Sequence, residues 1–319
     1  MHNLPLISIS IPVYNEADNI QRLYKRLSQL AIKMSDRCLL EFIFTDNHST
    51  DDTWEKIQEL AKVDNRIKAI RFSKNFGFQR SILANYLHTK GEAVLQIDAD
   101  LQDPPELLEE FFQLWQQGYH VIYGVRRKRP ENKFMHTIRK IGYWFIDKIS
   151  EHPIPKNAGD FRLIDRKVIK ALAKSKSINP YLRGMIAGMG FRQIGFTYDR
   201  DARQAGKSKF RLFQLLKLGF TGIINHSVVP LRIASYIGIL FVGLSFCGML
   251  FFLWQKILHP EIIHGVISIL VLVLFGIGFQ SLLLGILGEY LLRIYIILRA
   301  EPLAIIEQTV NFAEKELIL

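Results

Sequence analysis

Ala93-Val94-Leu95-Gln96-Ile97-Asp98-Ala99-Asp100-Leu101-Gln102-Asp103-Pro104-Pro105-Glu106 is the stretch on which the fold turns. It opens as a short β-favouring run, places three carboxylates in six residues, and then starts a helix at Pro105. Strand, acidic turn and helix in that order make one unit of a sheet whose ligands gather beyond the carboxyl ends of its strands. Alternate residues leaving a strand point the same way, so Asp98 and Asp100 are expected to converge. Hard oxygen donors of this kind suit Mg2+ or Mn2+, with a diphosphate completing the shell. Acidic turns are also common, and Asp103 is equally placed to be a helix N-cap.

The same alternation runs outward from this stretch. Ile7–Val13 precedes a helix over Ala17–Met34, Leu39–Thr45 precedes Thr53–Val63, and Ile67–Phe72 precedes Phe78–His88. Beyond Ala93–Ile97 come a helix over Pro105–Gln117 and a strand over Val121–Gly124. The pattern predicts an α/β domain over residues 1–202, a mostly parallel sheet with helices on both faces.

Composition bounds what such a domain does. The chain has 319 residues, 49% of them apolar, which excludes a disordered tail. Its 41 Lys and Arg against 30 Asp and Glu leave a net charge of +11, pointing to nucleic acid, a phosphorylated substrate or a membrane surface as partner. The two cysteines, Cys38 and Cys247, suggest no disulfide framework. Ile233–Trp254 and Gly265–Gly288 are uncharged runs of 22 and 24 residues. As helices they measure roughly 33 and 36 Å, enough to cross a bilayer core of about 30 Å. Arg211, Lys217, Arg232, Arg293 and Arg299 flank this pair on the outside and Lys256 alone lies between the runs, so both ends are expected in the cytoplasm. Leu4–Val13 lacks a basic leader and is broken by Pro5 and Pro12, so it does not read as a signal peptide. Arg126–Ile149 and Arg203–Ile224 are basic and partly amphipathic, the pattern of helices lying on anionic lipid, or of solvated basic faces. No DNA or RNA recognition motif accompanies the positive charge, so no nucleic-acid partner is expected.

Three strand ends carry the chemistry: Ile11-Pro12-Val13-Tyr14-Asn15-Glu16, Phe44-Thr45-Asp46-Asn47-His48-Ser49, and Asp98-Ala99-Asp100. Together with the two late spans they resemble glycosyltransferase family 2, and within it the polyisoprenyl-phosphate glycosyltransferases of the bactoprenol glucosyltransferase type, relatives of dolichyl-phosphate mannose synthase. The resemblance covers nearly the whole chain. It implies a GT-A type nucleotide-sugar-binding domain followed by two transmembrane helices. By it, Pro12, Tyr14, Glu16 and Asp46 would cradle base and ribose, and Asp98, Ala99, Asp100 and Gln102 would address the diphosphate, with Asp98, Asp100 and Gln102 at the metal. Gly124-Val125-Arg126 resembles the family's Gly-x-Arg and Gly159-Asp160-Phe161-Arg162 its acceptor-side motif, while Arg203 to Lys209 resembles a flexible basic loop. Arg126, Arg162, Arg203, Lys207 and Lys209 would then meet the acceptor phosphate. Asn47 and His48 depart from the family's usual Asp and Gly; His48 reads as a loop histidine more readily than as a metal ligand.

The expected reaction is inverting transfer of a hexose, glucose from UDP-glucose in the first instance, to polyprenyl phosphate in the cytoplasmic leaflet. GDP-mannose or a UDP-linked amino sugar is the alternative donor. Asp98, Asp100, Arg126 and Asp160 are the expected catalytic residues, with Asp160 tuning the acceptor site and not acting as an obligatory base. A processive synthase is disfavoured because no Arg-Trp pair occurs; a non-catalytic membrane adaptor is the rival from another class. The expected organisation is a catalytic domain over 1–202, a basic loop and juxtamembrane helix over 203–231, spans within 232–292 and a cytoplasmic tail over 293–319. Glycines at 238, 243, 248, 276, 278, 285 and 288 would allow close helix packing, which leaves a homo-oligomer open.

Overall fold

The computed structural model describes residues 4–127, 158–175, 180–200, 266–298 and 302–312, with isolated helical residues between 236 and 258. Two compact units emerge: residues 1–148, 152–210 and 301–319 form the first, and 149–151 with 211–300 the second.

In the first unit, β1 (Leu6–Val13), α1 (Ala17–Lys33), β2 (Leu39–Asp46), α2 (Thr53–Val63), β3 (Ile67–Phe72), α3 (Phe78–His88) and β4 (Ala93–Gln96) alternate as the sequence predicts. A 3-10 turn (Pro105–Leu107) leads into α4 (Leu108–Gln116), then come β5 (Val121–Arg126), β6 (Ala158–Asp165), α5 (Arg166–Ala173), α6 (Leu182–Gly188) and β7 (Gln193–Tyr198). Helix α7 (Val266–Leu298) belongs to the second unit, and β8 (Ile306–Val310) returns to the first.

The sheet order is β7-β5-β6-β4-β1-β2-β3-β8. Strands β4, β1, β2 and β3 run parallel, β6 is antiparallel to both of its neighbours, β7 is parallel to β5, and β8 closes the far edge antiparallel to β3. The period-two alternation of β1 explains its central place. Ile7, Ile9, Ile11 and Val13 face one core with Ile20, Leu23 and Leu27 of α1, which recur at helical spacing. The intervening Ser8 and Ser10 are also fully buried, so each needs a partner: Ser8 Oγ donates to Glu41 and Ser10 Oγ to Gln96 at 2.5 and 2.6 Å. A second core on the opposite face gathers Ile82 and Tyr86 of α3 with Val168 and Leu172 of α5.

The C-terminal region differs from a plain tail. Its residues Ile306–Val310 are the edge strand β8, and Ala304 packs with Ile70, Phe72 and Ala84. Asn311 Nδ2 donates to the carbonyls of Ala61 and Ile67 at 2.9 and 2.8 Å, fastening the end of the strand. Among the described residues, no helix is long and apolar enough to cross a membrane. As backbone, α7 is nevertheless one helix of 33 residues, and its sequence carries no charge before Glu289. Ten of the 22 residues of the first expected span and all of the basic segment 203–231 lie outside the described residues.

Candidate active site

The parallel strands β1, β2 and β4 end at one rim, and each is followed by a loop containing a non-glycine residue in the left-handed region: Asn15 at φ 54°, His48 at 62° and Leu101 at 59°. Such conformations are costly for a branched or bulky side chain, and persist where surrounding contacts over-determine them. Those contacts are visible. Asn15 Oδ1 accepts from the Thr50 amide at 2.8 Å, the Asn15 amide donates to Ser49 Oγ at 2.9 Å, and the Glu16 amide donates to Thr53 Oγ1 at 2.9 Å. The first two loops are therefore stitched into one platform. Asp46 is fully buried beneath it, accepting from the Ser49 amide at 3.0 Å and Ser49 Oγ at 2.5 Å. Burial pushes the Asp46 carboxyl up, against the hydrogen bonds of Ser49 and the charge of Arg71.

The third loop carries the acidic cluster. Four carboxylates, Asp98, Asp100, Asp103 and Asp160, meet four arginines, Arg126, Arg162, Arg183 and Arg200, among the described residues, but the pairing is uneven. Asp103 is buried and accepts from Tyr198 Oη at 2.5 Å and Arg200 Nε at 2.9 Å, with Arg126 Nη2 at 3.5 Å. Asp160 is buried too, and takes a side-on pair from Arg183, Nε at 2.9 and Nη2 at 2.6 Å, with Arg162 Nη2 at 3.7 Å. Asp100 Oδ1 accepts from the Gln102 amide at 3.1 Å, and Arg200 stands 3.9 Å from its other oxygen.

Asp98 is left over. Its Oδ1 is closed off from solvent without a hydrogen-bond partner among the described residues. Burial, then the charges of Asp103, Asp160 and Asp100, push its carboxyl up to about 7. A buried carboxylate oxygen lacking a partner beside further carboxylates is a seat for a cation. Among the described residues no three acidic, His or Cys side chains form a ready ligand set. A hard divalent ion held here would draw the rest of its shell from water and a bound ligand, as Mg2+ and Mn2+ do at phosphates.

Comparison with known proteins places this geometry. Residues 8–173 match the pattern described as Glycosyl transferase family 2. The chain belongs to glycosyltransferase family 2. Over nearly its whole length this family 2 enzyme is similar to the uncharacterized glycosyltransferase YkcC of Bacillus subtilis, 39% identical across 97% of this chain and 96% of that one. It is 33% identical to the bactoprenol glucosyl transferase of Shigella phage SfX, across 93% and 97% of the two chains. Among solved structures, the mannosyltransferase PcManGT of Pyrobaculum calidifontis, in complex with GDP-Man and Mn2+, aligns with a TM-score of 0.50 at 18% identity, covering 70% of this chain and 64% of that one. That likeness speaks to the fold, the GT-A-like α/β arrangement.

In this family 2 transferase the expected donor residues lie on the loop platform, with differing access. Pro12 is buried at the end of β1, Tyr14 is exposed with its ring open to a stacking partner, and Glu16 sits at the N-cap of α1 and accepts from Asn19 Nδ2 at 2.6 Å. Ala99 is buried between the two aspartates. Arg126 and the Gly159-Asp160 pair meet: a Cβ at Gly159 would come within 2.7 Å of Arg126 Nη2, so glycine there admits the guanidinium. Arg162 is buried, its Nη2 donating to the Gly159 carbonyl at 2.8 Å. Arg203, Lys207 and Lys209 lie outside the described residues.

One expectation changes and one keeps its form. Asp103 does not cap the helix, because Tyr198 and Arg200 occupy its carboxylate and the 3-10 turn begins behind Pro104 without a side-chain cap. His48 takes the left-handed turn that glycine would favour, its Nδ1 lying 3.0 Å from the Phe72 carbonyl and 3.6 Å from Glu307. Sequence reasoning passed over Arg183, Tyr198 and Arg200, which hold the acidic cluster. It also passed over Arg71, 3.6 Å from both Asp46 and Glu307, which joins the loop platform to β8.

Proposed function

We propose that this glycosyltransferase moves a hexose, glucose from UDP-glucose, onto polyprenyl phosphate at the cytoplasmic face of a membrane that its chain crosses twice, by a single inverting displacement. The observation that carries the reading is the unpaired Asp98 oxygen beside Asp100, at the carboxyl ends of parallel strands and next to Arg126 and Arg200. Acceptor and sugar are taken from relatives named as bactoprenol glucosyl transferases. The membrane reading is supported by the uncharged runs of 22 and 24 residues.

Each residue then has a task. Tyr14 offers a face to the base, and Pro12, Glu16 and Asp46 shape the platform under the nucleoside. Asp98, Asp100 and Gln102 would hold a divalent ion, which when bound supplies charge neutralisation for the departing diphosphate. Arg126 and Arg200, fixed by Asp103, add positive charge where the leaving group gains negative charge. A phosphate monoester has its second pKa near about 6, so the acceptor oxygen arrives largely ionised and needs positioning more than deprotonation. Asp160 fits that economy. Burial pushes its carboxyl up, but the Arg183 hydrogen bonds and the charges of Arg183 and Arg162 outweigh burial and hold it below the ordinary range, a poor base.

The test is incubation of membranes containing the full chain with a panel of radiolabelled nucleotide sugars, followed by organic extraction. Label from UDP-glucose in the lipid phase is expected. Label only from GDP-mannose would replace the donor, and no lipid-phase label from any donor would favour the adaptor reading.

A further inference from the structure

Arg183 is half-exposed while the carboxylate it grips, Asp160, is buried, only 7% exposed. The pair joins three elements: Asp160 on β6, Arg183 on α6, and Gln79 on α3, whose Oε1 accepts from the Leu182 amide at 3.1 Å and whose side chain also bonds Asp160. Neutralising Asp160 does not require Arg183, because Arg162 already lies 3.7 Å away on the same strand. Two guanidiniums meet the one carboxylate of Asp160, and the charge of Asp98 also acts on Arg183. The side-on grip uses Nε and one Nη2 hydrogen, so the Nη1 edge of Arg183 has no hydrogen-bond partner among the described residues, on a side chain that is 38% exposed. A guanidinium locked along one edge and open along the other is a receptor for a phosphate, since its rotamer entropy is already spent and its remaining donors are spaced for two oxygens.

We propose that Arg183 binds a substrate phosphate through this open edge, with Asp160 as the positioning residue that holds the guanidinium in place. The proposal rests on the transferase reading only in naming the phosphates available: the lipid monophosphate of the acceptor and the diphosphate of the donor. It also gives the Gly159-Asp160-Phe161-Arg162 motif a task other than proton transfer. The carboxylate aims a cation, and the cation meets the substrate.

Calorimetric titration of the full chain in detergent tests this, with farnesyl phosphate as one titrant and UDP plus Mn2+ as the other. Arg183→Ala is expected to weaken one titrant by about tenfold or more, the loss of a charge-assisted hydrogen-bonded pair, at an unchanged affinity for the other. Weakened farnesyl phosphate identifies the acceptor phosphate as the ligand, and weakened UDP the diphosphate. Arg183→Lys should recover part of the affinity, since it keeps the charge and loses the fork. Asp160→Asn should weaken the same titrant in the native background and have no further effect on top of Arg183→Ala. Unchanged affinity for both titrants in Arg183→Ala, with only a lowered melting temperature, would mean that the pair is structural and overturns the proposal. So would a native chain that binds neither titrant. If Arg183→Ala does not fold, Arg183→Lys carries the same comparison. Because the readout is binding, a native chain that binds both titrants yet transfers no sugar would sink the transferase reading and leave the assignment of Arg183 standing.

Discussion

On the β4-β1-β2-β3 side of the sheet the strands run parallel and deliver Tyr14, Asp46, Asp98 and Asp100 within a few residues of their carboxyl ends. On the β5-β6-β7 side the directions are mixed, and the site is made by pairs distant in sequence: Asp103 with Tyr198, 95 residues on, and Asp160 with Arg183, 23 residues on. The first side offers carboxylates and the second distributes the cations. Because those cations are committed to Asp103 and Asp160, Asp98 Oδ1 has no hydrogen bond from an arginine among the described residues, although four arginines stand nearby and the charge of Arg200 reaches it. Pairing decides the chemistry here more than the tally of charges does.

The largest effect expected from breaking that comparison is on stability. Asp103→Ala removes the carboxylate that Tyr198, Arg200 and Arg126 share at a buried position, and should cost about 3–5 kcal/mol by thermal unfolding. Tyr198→Phe deletes one hydrogen bond and should cost about 1 kcal/mol. A loss of similar size for both would mean that the arginines do not depend on Asp103.

Asp100→Asn attacks the other side and should leave the melting temperature nearly unchanged while slowing transfer by at least about a hundredfold. Excess EDTA should do the same to the native enzyme. Full turnover in either condition removes the metal from this mechanism.

A gentler probe is pH. The folded-state pKa of Asp98, about 7, lies above its ordinary value of 3.8, so its contribution to stability is complete at low pH and is lost as pH rises through 7. Asp46, also shifted upward by burial, acts in the same direction. Metal-free protein should therefore melt several degrees lower at pH 8 than at pH 5, and saturating Mn2+ should flatten the trend by favouring the ionised carboxylate. A flat metal-free profile would show that Asp98 has a partner after all.

The smallest effect sharpens the link between the loop platform and β8. Glu307 is 42% exposed and 3.6 Å from both Arg71 and His48, so Glu307→Ala should change stability by less than about 1 kcal/mol. Donor KM should rise about twofold with acceptor KM constant, as Arg71 loses one of the two carboxylates that orient it. A shift in acceptor KM instead would detach β8 from the donor side.

Much of the parallel half was legible in advance. Ile67–Phe72, Thr53–Val63 and Phe78–His88 form as their periodicity predicts, and β1 and β2 extend the expected strands by one residue each. Strands buried on both faces and helices with one apolar stripe leave strong patterns. β6 left a weaker one, since Asp160 and Arg162 interrupt its apolar run. β7 and β8 are edge strands with half-exposed, polar sequences, and β8 follows a long apolar helix, where a polar segment reads as a tail. Arg183 and Arg200 left no local signal, because what distinguishes them is the carboxylate each one meets.

By itself the sequence determined the α/β class, the rim where ligands gather, the acidic loop and the two uncharged runs, because periodicity and local spacing are properties of neighbouring residues. Only the tertiary structure decided that Asp103 is a shared counter-ion and not a helix cap, that Asp160 is claimed by Arg183, and that the chain returns after the apolar runs to complete the sheet. Each of these depends on which side chain fills the space opposite a buried charge, and a carboxylate sealed from water is defined by its partner, wherever in the chain that partner lies.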